Sequence, residues 1–162
     1  MRDGSAGRAQ RLDSLWPRQR PVVMGILNCT PDSFSDGGRH LDPESAVRHG
    51  DRMLADGALI VDVGGESTRP GAAPVDAAEE CRRILPVLGE LRARRPEAVL
   101  SVDTSKPEVA AAALAAGADI VNDVTAGSAP GMLELVARHG AAVVLMHMRG
   151  SPRNMQENVS YR

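Results

Sequence analysis

The chain has 162 residues, 43% hydrophobic and 25% charged, with a formal net charge of −2 at neutral pH. That length holds one ordinary domain with a real core and is too long for a disulfide-stapled mini-protein. The near-neutral charge argues against nucleic acid or an anionic membrane surface as the main partner, and no apolar run approaches the roughly 18–20 residues of a membrane span. Cys29 and Cys81 stand far apart with no C-x-x-C pairing, which argues against a zinc ribbon and a disulfide framework. A reducing cytoplasm is the expected location. Lys106 is the only lysine among 19 basic residues, and Trp16, Phe34 and Tyr161 are the only aromatics, so the body must pack on Ala, Val, Leu, Ile and Met.

Residues 1–20 hold five arginines, two aspartates and no apolar run, and are expected to form a disordered extension. Residues 21–162 are expected to form the folded domain. There, short apolar runs end in polar residues: Val22–Leu27 at Asn28, Ala58–Val61 at Asp62, Val99–Val102 at Asp103, Asp119–Val121 at Asn122, and Ala142–Met146 at His147. Short, β-branched runs of this kind predict strands buried on both faces of a parallel sheet. Helices are predicted between them. Asp42-Pro43-Glu44 opens one that Gly57 closes, and Val75–Arg95 forms the longest, with Pro86 as a kink or break. Ser105-Lys106-Pro107-Glu108 opens another, ending at Gly117, and Pro130–His139 ends at Gly140.

Repeated βα units leave an open doubly wound sheet or a (β/α)8 barrel, both α/β folds with their chemistry at the carboxyl ends of the strands. A polar residue at each strand end favours the barrel. Five strands are found where a complete barrel has eight in about 250 residues, so an incomplete N-terminal portion of a TIM barrel is expected.

The first βα loop, Thr30-Pro31-Asp32-Ser33-Phe34-Ser35-Asp36-Gly37-Gly38, carries the only Phe. Phe34 either folds back onto the barrel rim or serves as a lid over an aromatic ligand. The second loop, Gly64-Gly65-Glu66-Ser67-Thr68-Arg69-Pro70-Gly71, is either a plain turn or an anion site, its glycines admitting backbone N–H groups and Arg69 forking onto phosphate. It has neither a Walker lysine nor G-x-G-x-x-G. Asp103 and Asn122 end neighbouring strands, a carboxylate beside a carboxamide that suits a heterocycle edge with adjacent N–H donors and a ring acceptor. His147 is an acid–base candidate or a hydrogen-bonding residue of the barrel mouth. Met146 and Met148 alternate at a strand end, where one can face a pocket. Lys106 stands beyond its strand end, where the desolvation that a Schiff-base lysine needs is not expected. The histidines lack metal spacing, and Cys29 reads as a small packed residue.

Met24-Gly25-Ile26-Leu27-Asn28 followed by Thr30 to Gly38 resembles the first signature of the dihydropteroate synthase family, and Asp62 to Gly71 resembles its second. Ser101-Val102-Asp103-Thr104-Ser105-Lys106-Pro107, Asn122-Asp123-Val124 and Leu145-Met146-His147-Met148 continue in the family's order. Cys29 replaces the valine usual there.

The resemblance covers roughly Pro21 to Arg162. It implies a (β/α)8 barrel that joins 6-hydroxymethyl-7,8-dihydropterin pyrophosphate to p-aminobenzoate and releases pyrophosphate with Mg²⁺. It implies that Asp103 and Asn122 grip the pterin edge, with Val124 and Met146 against its ring. Asn28 would coordinate Mg²⁺ and pyrophosphate, and Phe34 and Pro70 would line the p-aminobenzoate site. Thr68 and Arg69 would order the second loop, and Asp36 would face the developing cation. The family is commonly homodimeric and is the target of sulfonamides. Its later signatures, which supply a second pterin carboxylate, a lysine and an Arg–His pair, are absent before Arg162. Two other readings are a corrinoid-linked methyltransferase with a related pterin-binding barrel, and a non-catalytic fragment.

Overall fold

The computed structural model describes residues 4–16, 21–30, 42–67 and 74–147. Five strands, β1 (Met24–Asn28), β2 (Ile60–Gly64), β3 (Val99–Asp103), β4 (Ile120–Asp123) and β5 (Ala142–Leu145), lie in chain order in one parallel sheet. A helix follows each of the first four: α2 (Pro43–Ala55), α3 (Ala77–Arg94), α4 (Pro107–Ala115) and α5 (Met132–Arg138). The expected βα beat is present, and the strand order is that of a barrel wall rather than of a doubly wound sheet.

The α2 cap acts as the sequence suggests, and α3 has a cap of the same kind. Asp42 accepts hydrogen bonds from the N–H groups of Glu44 and Ser45, Pro43 fills the first turn, and Asp76 accepts from the Glu79 N–H. Gly57, Gly117 and Gly140 have φ of +106°, +110° and +56°, the left-handed turns that release the chain into the next strand. Pro86 neither breaks nor ends α3. It stands on the exposed face, and its missing N–H leaves the Arg82 carbonyl without its helical donor.

Side chains alternate between two faces along each strand. Leu27, Val61, Val63, Leu100, Val102 and Val121 point outward into the main core with Val47, Ile84, Leu88, Leu91, Val109 and Leu114 of the helices. Ile60, Val99 and Ile120 point the other way and form a second cluster with Leu15, joined by Leu12 and Met24.

Leu12 and Leu15 belong to the segment expected to be disordered, and that expectation is corrected. Gly4–Asp13 forms a helix, α1, docked where the strands begin. Arg8 is buried and donates to the carbonyls of Leu114, Ala118 and His139, which are at or near the ends of α4 and α5. Arg11 forks onto the buried Asp119 at 2.7 and 3.0 Å, and Arg92 of α3 reaches the same carboxylate at 2.7 Å. The polar composition that suggested disorder is used instead to satisfy helix C-terminal carbonyls and one buried carboxylate. Among the described residues no helix is long and apolar enough to cross a membrane.

Candidate active site

At the opposite, carboxyl end of the sheet, Asn28, Gly64, Asp103 and Asn122 stand in one register row across β1 to β4. All four share the face that carries Ile60, Val99 and Ile120 further down. Two residues below the row, Asp62 pairs with Ser101. The strand ends therefore build one surface: an apolar base closed by α1, a layer with Asp62 and Ser101, and a rim of Asn28, Asp103 and Asn122.

Asp62 donates nothing and accepts from the Asn122 amide at 2.9 Å. Its other oxygen, Oδ1, is buried beside the Ser101 hydroxyl, and neither group has a further partner among the described residues. Burial pushes the Asp62 carboxyl above its ordinary range, against the nearby pull of Ser101 and Asn122. The half-buried Asp103 carboxyl is pushed up to about 7, first by burial and then by the charges of Asp62, Glu80, Asp123 and Glu66. A buried carboxylate with spare acceptor capacity, beside an unusually basic second carboxylate, is a surface that gains from N–H donors.

Sequence reasoning placed Asp62 at a strand end but gave neither it nor Ser101 a role, because it ended the second strand at Asp62. β2 runs on to Gly64, so Asp62 lies inside the strand and shares the inner face with Gly64. The period of two from Gly64 back to Asp62 was the available signal.

The two glycines of the second loop have different roles. A Cβ on Gly65 would lie 2.9 Å from Ile84 Cγ2 and 3.1 Å from the Glu80 carbonyl oxygen, so Gly65 admits α3 against the sheet. Gly64 faces the rim. Beyond them Glu66 pairs with Lys106, which also bonds Glu80 at 2.6 Å. Burial lowers the Lys106 pKa, yet its bonds to both carboxylates outweigh this, and the ammonium is held charged. The desolvation that was not expected is therefore present, and it is the two carboxylates that keep Lys106 from acting as an amine nucleophile.

Asp123, next to Asn122, builds the fourth loop by accepting from the N–H groups of Thr125 and Gly127 at 2.7 and 2.9 Å. Val124 and Met146 are half-buried beyond the ends of β4 and β5, and His147 is exposed. Cys29 is fully buried in the main core, as expected. Phe34, Asp36, Thr68, Arg69, Pro70 and Met148 lie outside the described residues.

Among the described residues no group of three or more His, Cys, Asp or Glu side chains could hold a metal ion. Asn28 is exposed at the end of β1, its Oδ1 beside the bare Gly64 and near Asp103. One neutral oxygen at an open rim fits a hard cation that takes its remaining ligands from water and phosphate.

The profile of the family described as "Pterin binding enzyme" matches residues 24–162. The dihydropteroate synthase of Escherichia coli (strain K12) is 55% identical over 141 residues, covering 87% of this chain and 50% of that protein. A Xanthomonas albilineans dihydropteroate synthase structure with 4-aminobenzoic acid superposes with a TM-score of 0.76 at 57% identity, over 82% of this chain and 48% of the other. The Yersinia pestis dihydropteroate synthase in a sulfonamide drug complex gives 0.78 at 53% identity, over 88% and 51%. The chain thus spans about half the length of the curated relatives it matches. Its five parallel strands, its signatures in order and the profile match together show that the chain belongs to the pterin-binding enzyme family.

Proposed function

We infer that this chain carries the pterin-gripping part of a dihydropteroate synthase. The reaction is condensation of 6-hydroxymethyl-7,8-dihydropterin pyrophosphate with p-aminobenzoate, giving 7,8-dihydropteroate and pyrophosphate. The observation that carries this reading is the rim of Asp103 and Asn122 above the buried carboxyl of Asp62. A pterin edge offers adjacent N–H donors to the Asp103 carboxylate. The Asn122 amide, its Nδ2 tied to Asp62, is left with its oxygen free to accept. Val124 and Met146 supply apolar surface for the ring.

Departure of pyrophosphate leaves a methylene cation that the pterin stabilises and the arylamine captures, so no covalent nucleophile is required. The paired, charged state of Lys106 suits that chemistry. Asn28 is the residue that would hold Mg²⁺ with the pyrophosphate, and the ion's charge offsets that of the leaving group. Phe34 and Pro70 are proposed for the p-aminobenzoate side, Thr68 and Arg69 for the pyrophosphate side, and Asp36 for the cation. The relatives solved with 4-aminobenzoic acid and with a sulfonamide support the choice of second substrate.

A second reading, a pterin-holding chain without turnover of its own, is favoured by the sheet edges. Among the described residues β1 and β5 each have a single neighbour, and Ile26, Val143, Val144 and Leu145 are exposed. One experiment separates the readings: dihydropteroate formation and oligomeric state of the 162-residue chain, with and without a separately made C-terminal half of a homologous enzyme. Turnover only in the mixture is expected. A monodisperse monomer with turnover alone would eliminate the second reading, and no turnover in either case would eliminate the first.

A further inference from the structure

Lys106 stands out first by composition, as the one lysine in a chain whose other basic residues are arginines. An arginine fork pairs side-on with one carboxylate, as Arg82 does with Glu79 at 2.6 and 2.7 Å. An ammonium is a compact charge with three donors and can join two carboxylates arriving from different directions. Here they arrive from Glu66, the first residue after Gly64-Gly65, and from Glu80 of α3, which is fully buried. Glu66 uses its second oxygen to accept the Val75 N–H at 3.1 Å, nine residues further on and next to the Asp76 cap of α3. Its carboxylate therefore touches both stems of the second βα loop. Lys106 is itself fixed at the start of α4: its N–H donates to the Thr104 hydroxyl at 3.2 Å and its carbonyl accepts from Ala110 at 3.0 Å.

We propose that Lys106 is a positioning residue for the second βα loop, its ammonium holding Glu66 against Glu80 and so fixing the spacing of the stems Glu66 and Val75. This rests on the functional reading above only for what the loop then serves, the pyrophosphate side of the site. Without the ammonium, two carboxylates face each other, one of them buried with its Oε1 already unpartnered. Glu66 can move, since it is only half-buried, and Glu80 cannot. Losing Glu66 frees Val75, while β3 and the Asp103–Asn122 rim keep their own strand bonds.

The test is amide hydrogen exchange on the full 162-residue chain, alone and as Lys106→Met and Glu66→Gln. Lys106→Met is expected to speed exchange of the Val75 amide about tenfold, the loss of one hydrogen bond to a charged acceptor, with Leu100 to Asp103 unchanged. Glu66→Gln keeps an acceptor for Val75 but drops the tie to Lys106, so a smaller increase is expected; it decides the matter if Lys106→Met does not fold. Unchanged exchange at Val75 overturns the proposal. Titration adds the functional arm: Lys106→Met should weaken inorganic pyrophosphate binding and spare 6-hydroxymethylpterin. Equal weakening of both overturns the positioning role. If the unsubstituted chain takes no pterin at all, the functional reading has failed, and the exchange result by itself supports or overturns the role of Lys106.

Discussion

Gly64 stands opposite Asp103 in the β2–β3 pairing, and a methyl group on Gly64 would lie 3.5 Å from Asp103 Cβ and 3.6 Å from its Oδ2, with Asn28 Oδ1 at 3.9 Å. These are ordinary contacts, so the fold tolerates that methyl, which would occupy the space between Asn28 and Asp103 at the rim. Gly64→Ala is expected to leave stability within about 0.5 kcal/mol and to abolish pterin binding. Gly65→Ala forces Ile84 and the Glu80 backbone apart and is expected to cost about 1–3 kcal/mol. Thermal melts and a pterin titration on both variants distinguish them, and equal loss of stability would show that the two glycines share one role.

Asp119 is the hinge of the α1 dock. It is fully buried, accepts from Arg11 and Arg92, and takes the Leu100 N–H at 3.1 Å. Asp119→Ala leaves these donors, and the nearby Arg8, without their anion and is expected to cost about 3–5 kcal/mol. Arg11→Met, which leaves Arg92 in place, should cost less. Denaturant midpoints test both, and a midpoint unmoved by Asp119→Ala would show that α1 is not docked through it.

Asp103 links stability and binding to pH in opposite directions. Its folded-state pKa of about 7 lies above the ordinary 3.8. Between these values the folded chain holds a proton that the unfolded chain has released, so this group's stabilisation is present at low pH and is lost as pH rises through about 7. Asp103→Asn is expected to flatten the decline in melting temperature over that window. Pterin binding by the carboxylate should instead strengthen as pH rises through about 7. An affinity that falls with pH there would remove Asp103 as the acceptor.

Burial raises the Cys29 thiol to about 12. Cys81 is half-buried and also raised, by burial and then by Glu80 and Glu108. Alkylation of the native chain at mildly alkaline pH is therefore expected to reach Cys81 first, with Cys29 reacting only as the fold opens. Peptide mapping over a time course checks the order, and early labelling of Cys29 would contradict its place in the core.

Much of the fold was legible in the sequence because its signals are local. Asp42-Pro43-Glu44 and the three closing glycines act within a few residues, and short apolar runs mark the parallel strands, although only β2 to β4 are buried and most of β1 and β5 is not. Asp103 and Asn122 could be placed side by side because parallel neighbours bring their carboxyl ends together. The extent of β2 was misjudged by two residues, and with it the place of Asp62, because only pairing with β3 shows where a strand continues.

What only the tertiary structure decided is where charge meets charge. Arg8 finds its carbonyl partners more than 100 residues away, and Lys106 finds Glu66 and Glu80 at separations of 40 and 26. A polar segment such as residues 4–13 reads as solvated until those partners exist, since burying an arginine is unfavourable alone and feasible once its donors are satisfied. Local sequence set the periods, caps and turns. The environment of each buried ion, and therefore its role, arose only when distant strands and helices closed around it.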